Sequence, residues 1–454
     1  MITMTFQQAA RLSNGQLFNA SEEMIFSGVS TDSRAIQEGM LFVPLVGARV
    51  DGHDFAQQVM EAKAAGMIWQ ADHLPIPSDI PVIVVQDPIL AMGRLAAGWL
   101  QEISPLTIGI TGSNGKTSTK DFCANLFALQ EKTWKTQGNH NNEIGLPLTI
   151  FEADADTKVL ILEMGMENAG EIEYLCSIAP LDIAIITSIG SAHLENLGSK
   201  QNIARAKCEI VSSLKPGGTF IYHADGPEIQ KAIQELPLDS SWHIIPYGYD
   251  TDYDPCSFRH TRQGLLFSLS ALSSEPFLVP SASQVQAFNA TAALLAAKAG
   301  YVNPLLWHKG LATTKLTPMR GDLHPWKQSI LVDDTYKSNP EAVHVALRSF
   351  MEIPGSKHIA VLSDMLDLGA KEKELHAQVG QWANELGVDV LFTWGPLSEE
   401  TSHAFHQTKT HFQNKQDLLS ALAPYALEEA VILVKGSRAM KMDEVVQACL
   451  KGDF

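Results

Sequence analysis

Paired cysteines, a surplus of basic residues and long apolar runs are all missing from this chain. Its five cysteines lie far apart and form no Cys-x-x-Cys pair, so neither a disulfide framework nor a zinc ribbon is expected. Lys and Arg number 33 against 51 Asp and Glu, which gives a formal net charge of −18. A surface that binds nucleic acid needs a basic stripe, and this charge balance argues against one.

The chain has no run of 18 apolar residues, and residues 1–8 lack the basic start and apolar stretch of a signal peptide. A membrane-spanning helix needs roughly 20 consecutive apolar residues. We therefore expect a cytoplasmic protein that does not insert into a membrane.

The length of 454 residues and the hydrophobic fraction of 45% are typical of a globular protein with two or three domains. Composition and the pattern of apolar residues divide the chain into three regions, residues 1–84, 85–315 and 316–454. In the last two regions, short apolar runs alternate with stretches in which apolar residues recur at helical spacing. This alternation predicts parallel sheets with crossover helices. The predicted fold is α/β with three domains: a small N-terminal α/β domain, a central parallel-sheet domain and a smaller, Rossmann-like C-terminal domain.

Individual elements follow from the same periodicity. Apolar runs predict strands at residues 106–110, 159–162, 183–186, 219–222, 330–332, 359–362, 390–392 and 431–434. Helical spacing predicts helices at residues 116–129, 287–299, 341–350 and 372–386, and a final helix near the end of the chain.

A Gly-rich turn lies where the first central strand ends and a helix begins. A strand, a Gly-rich turn and a helix N-terminus make an anion site, because backbone N–H groups and the helix dipole favour negative charge. Lys116 can reach the β- and γ-phosphates of ATP, and the Thr117 hydroxyl can bind Mg²⁺. The predicted ATP-binding run is Gly112, Ser113, Asn114, Gly115, Lys116, Thr117 and Ser118.

The strict Walker pattern fails, because the position five residues before Gly115 is Ile110 rather than glycine. A Gly-rich turn that binds no nucleotide is the alternative. The Gly-Lys-Thr-Ser run at a predicted strand–helix junction favours nucleotide binding.

The loop TGSNGKTS resembles the loops of Mur ligases and folylpolyglutamate synthases. Further runs resemble Mur ligase motifs in the same order: TDSR at 31–34, GMLF at 39–42, DGHDF at 51–55, TQGNHNNEIGLP at 136–147, DDTYKSNP at 333–340, VLSDMLDLG at 361–369 and KGSRAM at 435–440. The chain is thereby identified as a member of the Mur ligase family. It is most similar to the branch that joins D-Ala-D-Ala to UDP-N-acetylmuramoyl-tripeptide.

This resemblance implies an enzyme that forms an amide bond with ATP and two Mg²⁺ ions as cofactors. The tripeptide carboxylate would attack the γ-phosphorus to give an acyl phosphate and ADP, and the amine of D-Ala-D-Ala would then displace phosphate. The first region would bind the UDP group and the second would bind ATP. The implied protein is a monomer that closes around its ligands.

The resemblance also implies roles for single residues. Lys116, Glu163, His193 and Lys207 would be catalytic, and the metal ligands would be Thr117, Glu163, His193 and, if carbamylated, Lys207. From the residues alone, Glu163 could instead be a solvated acid at a strand end, His193 a hydrogen-bonding loop residue, and Lys207 an exposed helical lysine paired with an acid.

The remaining site residues follow from the same motifs. Asn289, Arg320 and Asp334 would complete the ATP site, and substrate would be bound by Ser33, Arg34, Asn141, Asn142, Lys435 and Arg438. The chain departs from the family in three places. Residues 283–289 keep only the final Asn of the motif that contacts adenine, Lys337 replaces a usual Asn, and Ser363 replaces a usual Gly.

Three alternatives stay open at this point. The first is a related ligase that adds a single amino acid to a muramoyl peptide or to folate. The second is a nucleotide-gated binding protein that has lost catalysis, against which Lys116, Glu163 and His193 argue. The third is a P-loop kinase, which rarely carries two extra domains.

Overall fold

A computed structural model of the chain describes residues 1–21, 23–190, 193–366 and 368–452. Asp367, which belongs to the run VLSDMLDLG at 361–369, lies outside the described residues, as do Ser191 and Ala192 just before the candidate ligand His193. The chain forms two compact units, Met1–Tyr247 with Ala292–Pro304, and Gly248–Thr291 with Leu305–Phe454. The predicted domain boundaries at residues 84 and 315 stay predictions.

The first unit contains an N-terminal sheet in the order β2-β7-β6-β5-β4, in which only β2 is antiparallel to its neighbour. Its strands and helices, with the antiparallel pair β1 and β3, are β1 (Thr3–Thr5), α1 (Phe6–Ser13), β2 (Gln16–Phe18), β3 (Ile25–Ser27), β4 (Val29–Ser30), β5 (Leu41–Phe42), α2 (Ala56–Glu61), β6 (Gly66–Gln70), β7 (Val82–Val85) and α3 (Pro88–Ile103). Since β4, β5 and β6 are parallel, the loops that follow them lie along one edge of this sheet.

A second sheet of the first unit has six strands, all parallel, in the order β13-β12-β11-β8-β10-β9. Its elements are β8 (Leu106–Thr111), α4 (Lys116–Ala128), β9 (Thr133–Lys135), α5 (Gly145–Glu152), β10 (Val159–Glu163), α6 (Glu171–Ile178), β11 (Leu181–Ile186), α7 (Leu194–Leu197), α8 (Lys200–Cys208), β12 (Leu214–His223), α9 (Pro227–Gln234) and β13 (His243–Tyr247).

The central strands β8, β10 and β11 are almost wholly apolar and buried, as expected for a parallel sheet covered by helices on both faces. The registers Ile110↔Glu163 and Thr111↔Ile186 bring the ends of these three strands to one edge. The carboxyl edge of such a sheet is where ligands bind.

The second unit has a three-stranded antiparallel sheet, β14-β15-β16, and a six-stranded sheet in the order β17-β18-β22-β19-β20-β21. Only β17 is antiparallel in the larger sheet. The elements are β14 (Cys256–Thr261), β15 (Gly264–Ser268), β16 (Phe277–Val279), α10 (Val285–Ala299), α11 (Trp307–Ala312), β17 (Asp322–Trp326), β18 (Ser329–Asp334), α12 (Pro340–Met351), β19 (His358–Ser363), α13 (Glu372–Leu386), β20 (Val390–Trp394), α14 (Ser398–Ala404), β21 (Thr408–Phe412), α15 (Lys415–Leu422), β22 (Val431–Lys435) and α16 (Asp443–Lys451). The residues of α10 from Ala292 onward belong to the first unit.

The α/β fold class is confirmed, and every strand predicted above lies within an observed strand. Short 3-10 helices complete the chain at Gly52–Phe55, Glu209–Ser213, Pro304–Leu306, Gly369–Lys371, Ala423–Leu427 and Arg438–Met440. Across the described ranges, no helix is long and apolar enough to span a membrane.

Candidate active site

The phosphate loop is held in shape by the end of the neighbouring strand β11. The Ser113 N–H donates to the Ser188 carbonyl at 2.9 Å, and the Asn114 N–H donates to Ser188 Oγ, also at 2.9 Å. Gly112 (φ +154°) and Gly115 (φ +86°) supply the backbone angles of the turn. Gly115 is the N-cap of α4 and no side chain caps the helix, so the positive end of the helix dipole faces the loop.

Lys116 is the first residue of α4 and curls back over the loop. Its ammonium donates to the Gly112 carbonyl at 2.6 Å. A phosphate oxygen bound in the loop is a stronger acceptor than this carbonyl, because the hydrogen bond is then charge-assisted on both sides. The flexible lysine stem allows that exchange.

Glu163 ends β10 at the same sheet edge, with its side chain almost fully buried. Asn141 Nδ2 donates to Oε1 at 3.0 Å, and the Glu163 N–H donates to Thr136 Oγ1 at 2.9 Å. The other oxygen, Oε2, is buried, accepts no hydrogen bond among the described residues, and lies 3.8 Å from Lys120 Nζ. A buried carboxylate oxygen without a donor fits a hard cation such as Mg²⁺, which prefers oxygen ligands. Thr117 adds a hydroxyl on the first turn of α4, where its residue is buried.

Three lysines gather in this region of the first unit. Lys120 and Lys207 are each only 2% exposed. Burial, and then the charge of Lys116, lower the pKa of Lys207 from 10.5 to about 7. No hydrogen bond or ion pair links the Lys207 ammonium to any of the described residues. The exposed, paired lysine that the sequence left open as an alternative is therefore wrong.

His193 and Asn142 occupy more open positions. His193 is exposed, has a left-handed backbone (φ +65°) at the start of α7, and helps to lower the pKa of Glu171. None of the hydrogen bonds and ion pairs of Glu163 described above involves His193. Asn142 caps the turn before α5, since its Oδ1 accepts from the Gly145 N–H at 2.9 Å. Of this pair of asparagines, only Asn141 contacts Glu163.

In the second unit, the structure pairs two residues that the sequence assigned to different ligands. Lys435 Nζ donates to Asp334 Oδ2 at 2.7 Å and to the Lys337 carbonyl at 2.8 Å. Lys435 is almost fully buried, and the register of β18 and β22 places it directly beside Asp334. The pair therefore stabilises the carboxyl edge of the sheet.

The other candidates of the second unit lie in separate surroundings. The Arg320 guanidinium lies 4.3 Å from the centre of the Tyr336 ring, and its buried Nε has no hydrogen-bond partner among the described residues. Arg438 forms an ion pair with Asp443, with 2.7 Å between Nη1 and Oδ1. Asn289, the residue of the family motif that this chain keeps, is buried, and its Nδ2 donates to Gln286 Oε1 at 2.9 Å. The side chain of Gln286 is therefore a second buried amide beside Asn289.

The candidate UDP residues lie at the edge of the N-terminal sheet. Arg34 is exposed and folds onto Asp32, with hydrogen bonds of 2.9 Å from Nε and 2.8 Å from Nη2. These bonds lower the pKa of Asp32 to about 2. Ser33 lies between them, partly buried. The loop after β5 brings Asp51 to the same edge, where its Oδ1 lies 2.7 Å from Nδ1 of the buried His53.

The shape of the loop gives a first testable prediction. A Cβ on Gly112 would lie 2.0 Å from Thr187 Oγ1 and 3.1 Å from the Ser188 nitrogen. The substitution Gly112→Ala is therefore expected to displace the loop, to lower the free energy of unfolding by about 1–3 kcal/mol and to weaken ADP binding at least about tenfold. Calorimetric titration with ADP and thermal unfolding measure both effects.

Gly170→Ala is the matched control, because Gly170 has φ +88° and nothing within 4 Å of its added Cβ. That variant carries only the backbone cost of a positive φ, about 1 kcal/mol. Its ADP affinity should equal that of the unchanged protein. Equal ADP affinities for Gly112→Ala and Gly170→Ala would contradict the close fit of the loop.

Comparison with known proteins identifies the family to which this chain belongs. Family models match three consecutive stretches: the Mur ligase family catalytic domain at residues 25–99, the Mur ligase middle domain at residues 110–297, and the Mur ligase glutamate ligase domain at residues 319–438. The UDP-N-acetylmuramoyl-tripeptide–D-alanyl-D-alanine ligase of Bacillus subtilis is 36% identical over 457 residues, which is 98% of each chain. The enzyme of the same name from Escherichia coli is 34% identical and covers 99% of this chain and 98% of its own.

Solved structures of ligases are also similar to this chain. The ligase that adds D-alanyl-D-alanyl in Acinetobacter baumannii has a TM-score of 0.88 at 27% identity and 99% coverage of both chains. MurF of Thermotoga maritima in complex with ADP has a TM-score of 0.79 at 28% identity and covers 94% of this chain and 97% of its own. A folylpolyglutamate synthase of Mycobacterium tuberculosis, at 17% identity and a TM-score of 0.62, shares the fold alone.

The fold and the loop define this protein as an ATP-dependent ligase that forms amide bonds. The chain belongs to the Mur ligase family, within the group formed by the UDP-N-acetylmuramoyl-tripeptide–D-alanyl-D-alanine ligases.

Proposed function

We propose that this protein joins D-Ala-D-Ala to UDP-N-acetylmuramoyl-tripeptide, using ATP, to give the pentapeptide precursor of peptidoglycan, ADP and phosphate. The observation that carries the proposal is the end-to-end similarity to ligases of that name, together with a phosphate loop and a buried carboxylate at one sheet edge. A carboxylate does not react with an amine unaided, because oxide is a poor leaving group. Phosphorylation by ATP removes that obstacle.

The first chemical step brings two anions together, the tripeptide carboxylate and the γ-phosphoryl group. The positive end of α4 and the Lys116 ammonium stabilise the negative charge that moves onto the ADP oxygens. Asn141 can donate to an oxygen of the substrate without adding charge. Attack by the amine of D-Ala-D-Ala then breaks the acyl–phosphate bond, the phosphate leaves with the bonding electrons, and the amide forms.

Glu163 and Thr117 are the residues that would hold one Mg²⁺, and their oxygen donors suit that ion. The ion would screen the phosphate charges and orient the γ-phosphoryl group. We assign His193 and a carbamylated Lys207 to a second ion. The exposure of His193 makes its role dependent on closure of the ligand-bound protein.

Carbamylation of Lys207 is supported by its burial and by the repulsion of Lys116, which together lower its pKa to about 7. The neutral amine attacks carbon dioxide, an N–C bond forms, and one proton is released to solvent. The product is an anion, so the repulsion with Lys116 becomes an attraction and a cation can bind. The attraction to Lys116 and the bound cation both favour the anionic carbamate at this buried position.

This proposal predicts that ¹³C-bicarbonate gives a carbamate carbon signal in the NMR spectrum of the full chain. The signal should be lost in Lys207→Met and kept in Lys200→Met, which removes a lysine from the first turn of the same helix. Bicarbonate should also raise the ligase rate. An unmodified Lys207 amine by mass spectrometry, together with a rate that does not respond to bicarbonate, would rule the modification out.

The remaining assignments belong to the same proposal. Ser33 and Arg34 would bind the UDP group, and Arg34 would exchange its bond with Asp32 for the diphosphate. Arg320 and Asn289 would contact ATP, and Arg438 the dipeptide. Asp334 would reach ribose hydroxyls with the oxygen that Lys435 does not occupy. We further assign three domains bounded near residues 84 and 315, a monomeric state and a cytoplasmic location.

Release of phosphate tests the proposed function. It should require ATP, Mg²⁺, UDP-N-acetylmuramoyl-tripeptide and D-Ala-D-Ala together, and the product mass should equal that of the pentapeptide. Release that needs a single amino acid instead of the dipeptide, or that proceeds with folate, would move the assignment to another ligase of the same fold.

A further inference from the structure

Lys120 is a buried cation that the reaction described above does not use. It lies one helical turn after Lys116, on the same face of α4, and is among the largest fully buried side chains of the chain. Burial of an ammonium is costly unless a counter-charge lies close. The carboxylate of Glu163 lies close to Lys120 and carries such a charge.

The contact between these two side chains is an ion pair rather than a hydrogen bond. Lys120 Nζ lies 3.8 Å from Glu163 Oε2, beyond the range of a hydrogen bond. The other oxygen, Oε1, is fixed by Asn141 at 3.0 Å. One oxygen of the Glu163 carboxylate is therefore oriented by the Asn141 amide. The other faces the Lys120 ammonium without a hydrogen bond to it.

Lys120 places a positive charge beside Glu163. The neighbouring Asp121 is paired with Lys135 at 2.5 Å and so adds no net charge. A divalent ion bound to Oε2 at about 2.1 Å would lie within about 6 Å of Lys120, since the ion pair itself spans 3.8 Å.

We propose that Lys120 is a positioning residue that holds the Glu163 carboxylate in place while no nucleotide is bound, and that prevents a bare divalent cation from occupying Glu163 ahead of ATP. The triphosphate brings the negative charge that offsets Lys120, so the cation enters together with the nucleotide. Glu163 Oε2 then exchanges its partner from Lys120 to the metal. This inference rests on the proposed role of Glu163 as a metal ligand.

Binding of Mn²⁺ alone to the nucleotide-free, full-length protein, followed by electron paramagnetic resonance, tests the proposal. Lys120→Met is nearly isosteric and removes one unit charge about 6 Å from a divalent ion, which by Coulomb's law in a water-like medium corresponds to about tenfold tighter binding. The double variant Lys120→Met/Glu163→Gln should bind Mn²⁺ no more tightly than Glu163→Gln alone. A general loosening of the fold would not depend on Glu163 in this way.

Unchanged or weaker Mn²⁺ binding by Lys120→Met would overturn the proposal, and so would a gain that persists in the Glu163→Gln background. Near-ultraviolet circular dichroism checks that each variant is folded. If Lys120→Met does not fold, Lys120→Gln carries the same expectation. The measurement contains neither ATP nor peptide, so a failure of the proposed ligase activity and a failure of this inference give separate results.

Discussion

Replacing Lys116 by methionine is expected to lower the kcat of the ligase by about a thousandfold, the largest effect of any single substitution considered for this protein. The reason is electrostatic: the Lys116 ammonium contacts the phosphate loop, and it would stabilise charge that appears only as the phosphoryl group is transferred. Loss of one such preorganised donor typically costs about 10² to 10³ in kcat. Methionine keeps the length of the side chain, so α4 should remain intact.

Lys132→Met is the matched control for this variant. Lys132 forms exposed ion pairs with Asp154 and Asp156, and exposed pairs contribute little to stability. Steady-state phosphate release should therefore be unchanged in the control. A Lys116→Met enzyme that keeps more than about a tenth of the original kcat would contradict the role of this lysine in transfer.

Replacing Glu163 by glutamine is expected to have the second largest effect, a loss of about a hundredfold or more in kcat with a higher Mg²⁺ requirement. Glutamine keeps the shape of the side chain, and its carbonyl can still accept from Asn141. It removes the negative charge that would bind Mg²⁺, and it removes the Glu163 charge that lies 3.8 Å from the buried Lys120 ammonium. Some loss of thermal stability is therefore expected as well.

Glu167→Gln provides the control, because Glu167 follows the same strand four residues later and is exposed. Rates measured across a series of Mg²⁺ concentrations separate the loss of kcat from the higher Mg²⁺ requirement. If excess Mg²⁺ restored Glu163→Gln to within threefold of the original rate, Glu163 would be a weak contributor to metal binding and the proposed site would have to move.

In the two six-stranded sheets, the sequence was sufficient to predict the buried central strands and less so for the edge strands. Strands β8, β10 and β11 were predicted because strands buried on both faces are continuous apolar runs. Strands β9, β17 and β21 were not predicted, and each lies at the edge of its sheet. Edge strands are short or polar, and β17 contains Pro325, which is tolerated only where no inward donor is needed.

The same limit applies to the candidate site. The order of strands in a sheet cannot be obtained from local pattern, so the sequence assigned Asp334 to ATP and Lys435 to the dipeptide. In the sheet their strands are neighbours, and the two side chains form an ion pair. Arg34 was likewise predicted to contact UDP, and its ion pair with Asp32 two residues away was not foreseen.

Lys120 was missed for a different reason. Lysine is rarely buried, and one lysine among the polar residues at the start of a helix suggests an exposed position. Its spacing of four residues from Lys116 was the available signal, because residues four apart share a helix face. Only the burial of Lys120 beside Glu163 reveals that this face points into the site.

Isotope transfer shows whether ATP activates the tripeptide carboxylate as an acyl phosphate. The substrate is UDP-N-acetylmuramoyl-tripeptide with ¹⁸O in both oxygens of its terminal carboxylate, incubated with ATP, Mg²⁺ and D-Ala-D-Ala. The oxygen that attacks the γ-phosphorus leaves with phosphate, so mass spectrometry should find one ¹⁸O atom in each phosphate released. Phosphate without the label, or AMP as the nucleotide product, would contradict the account.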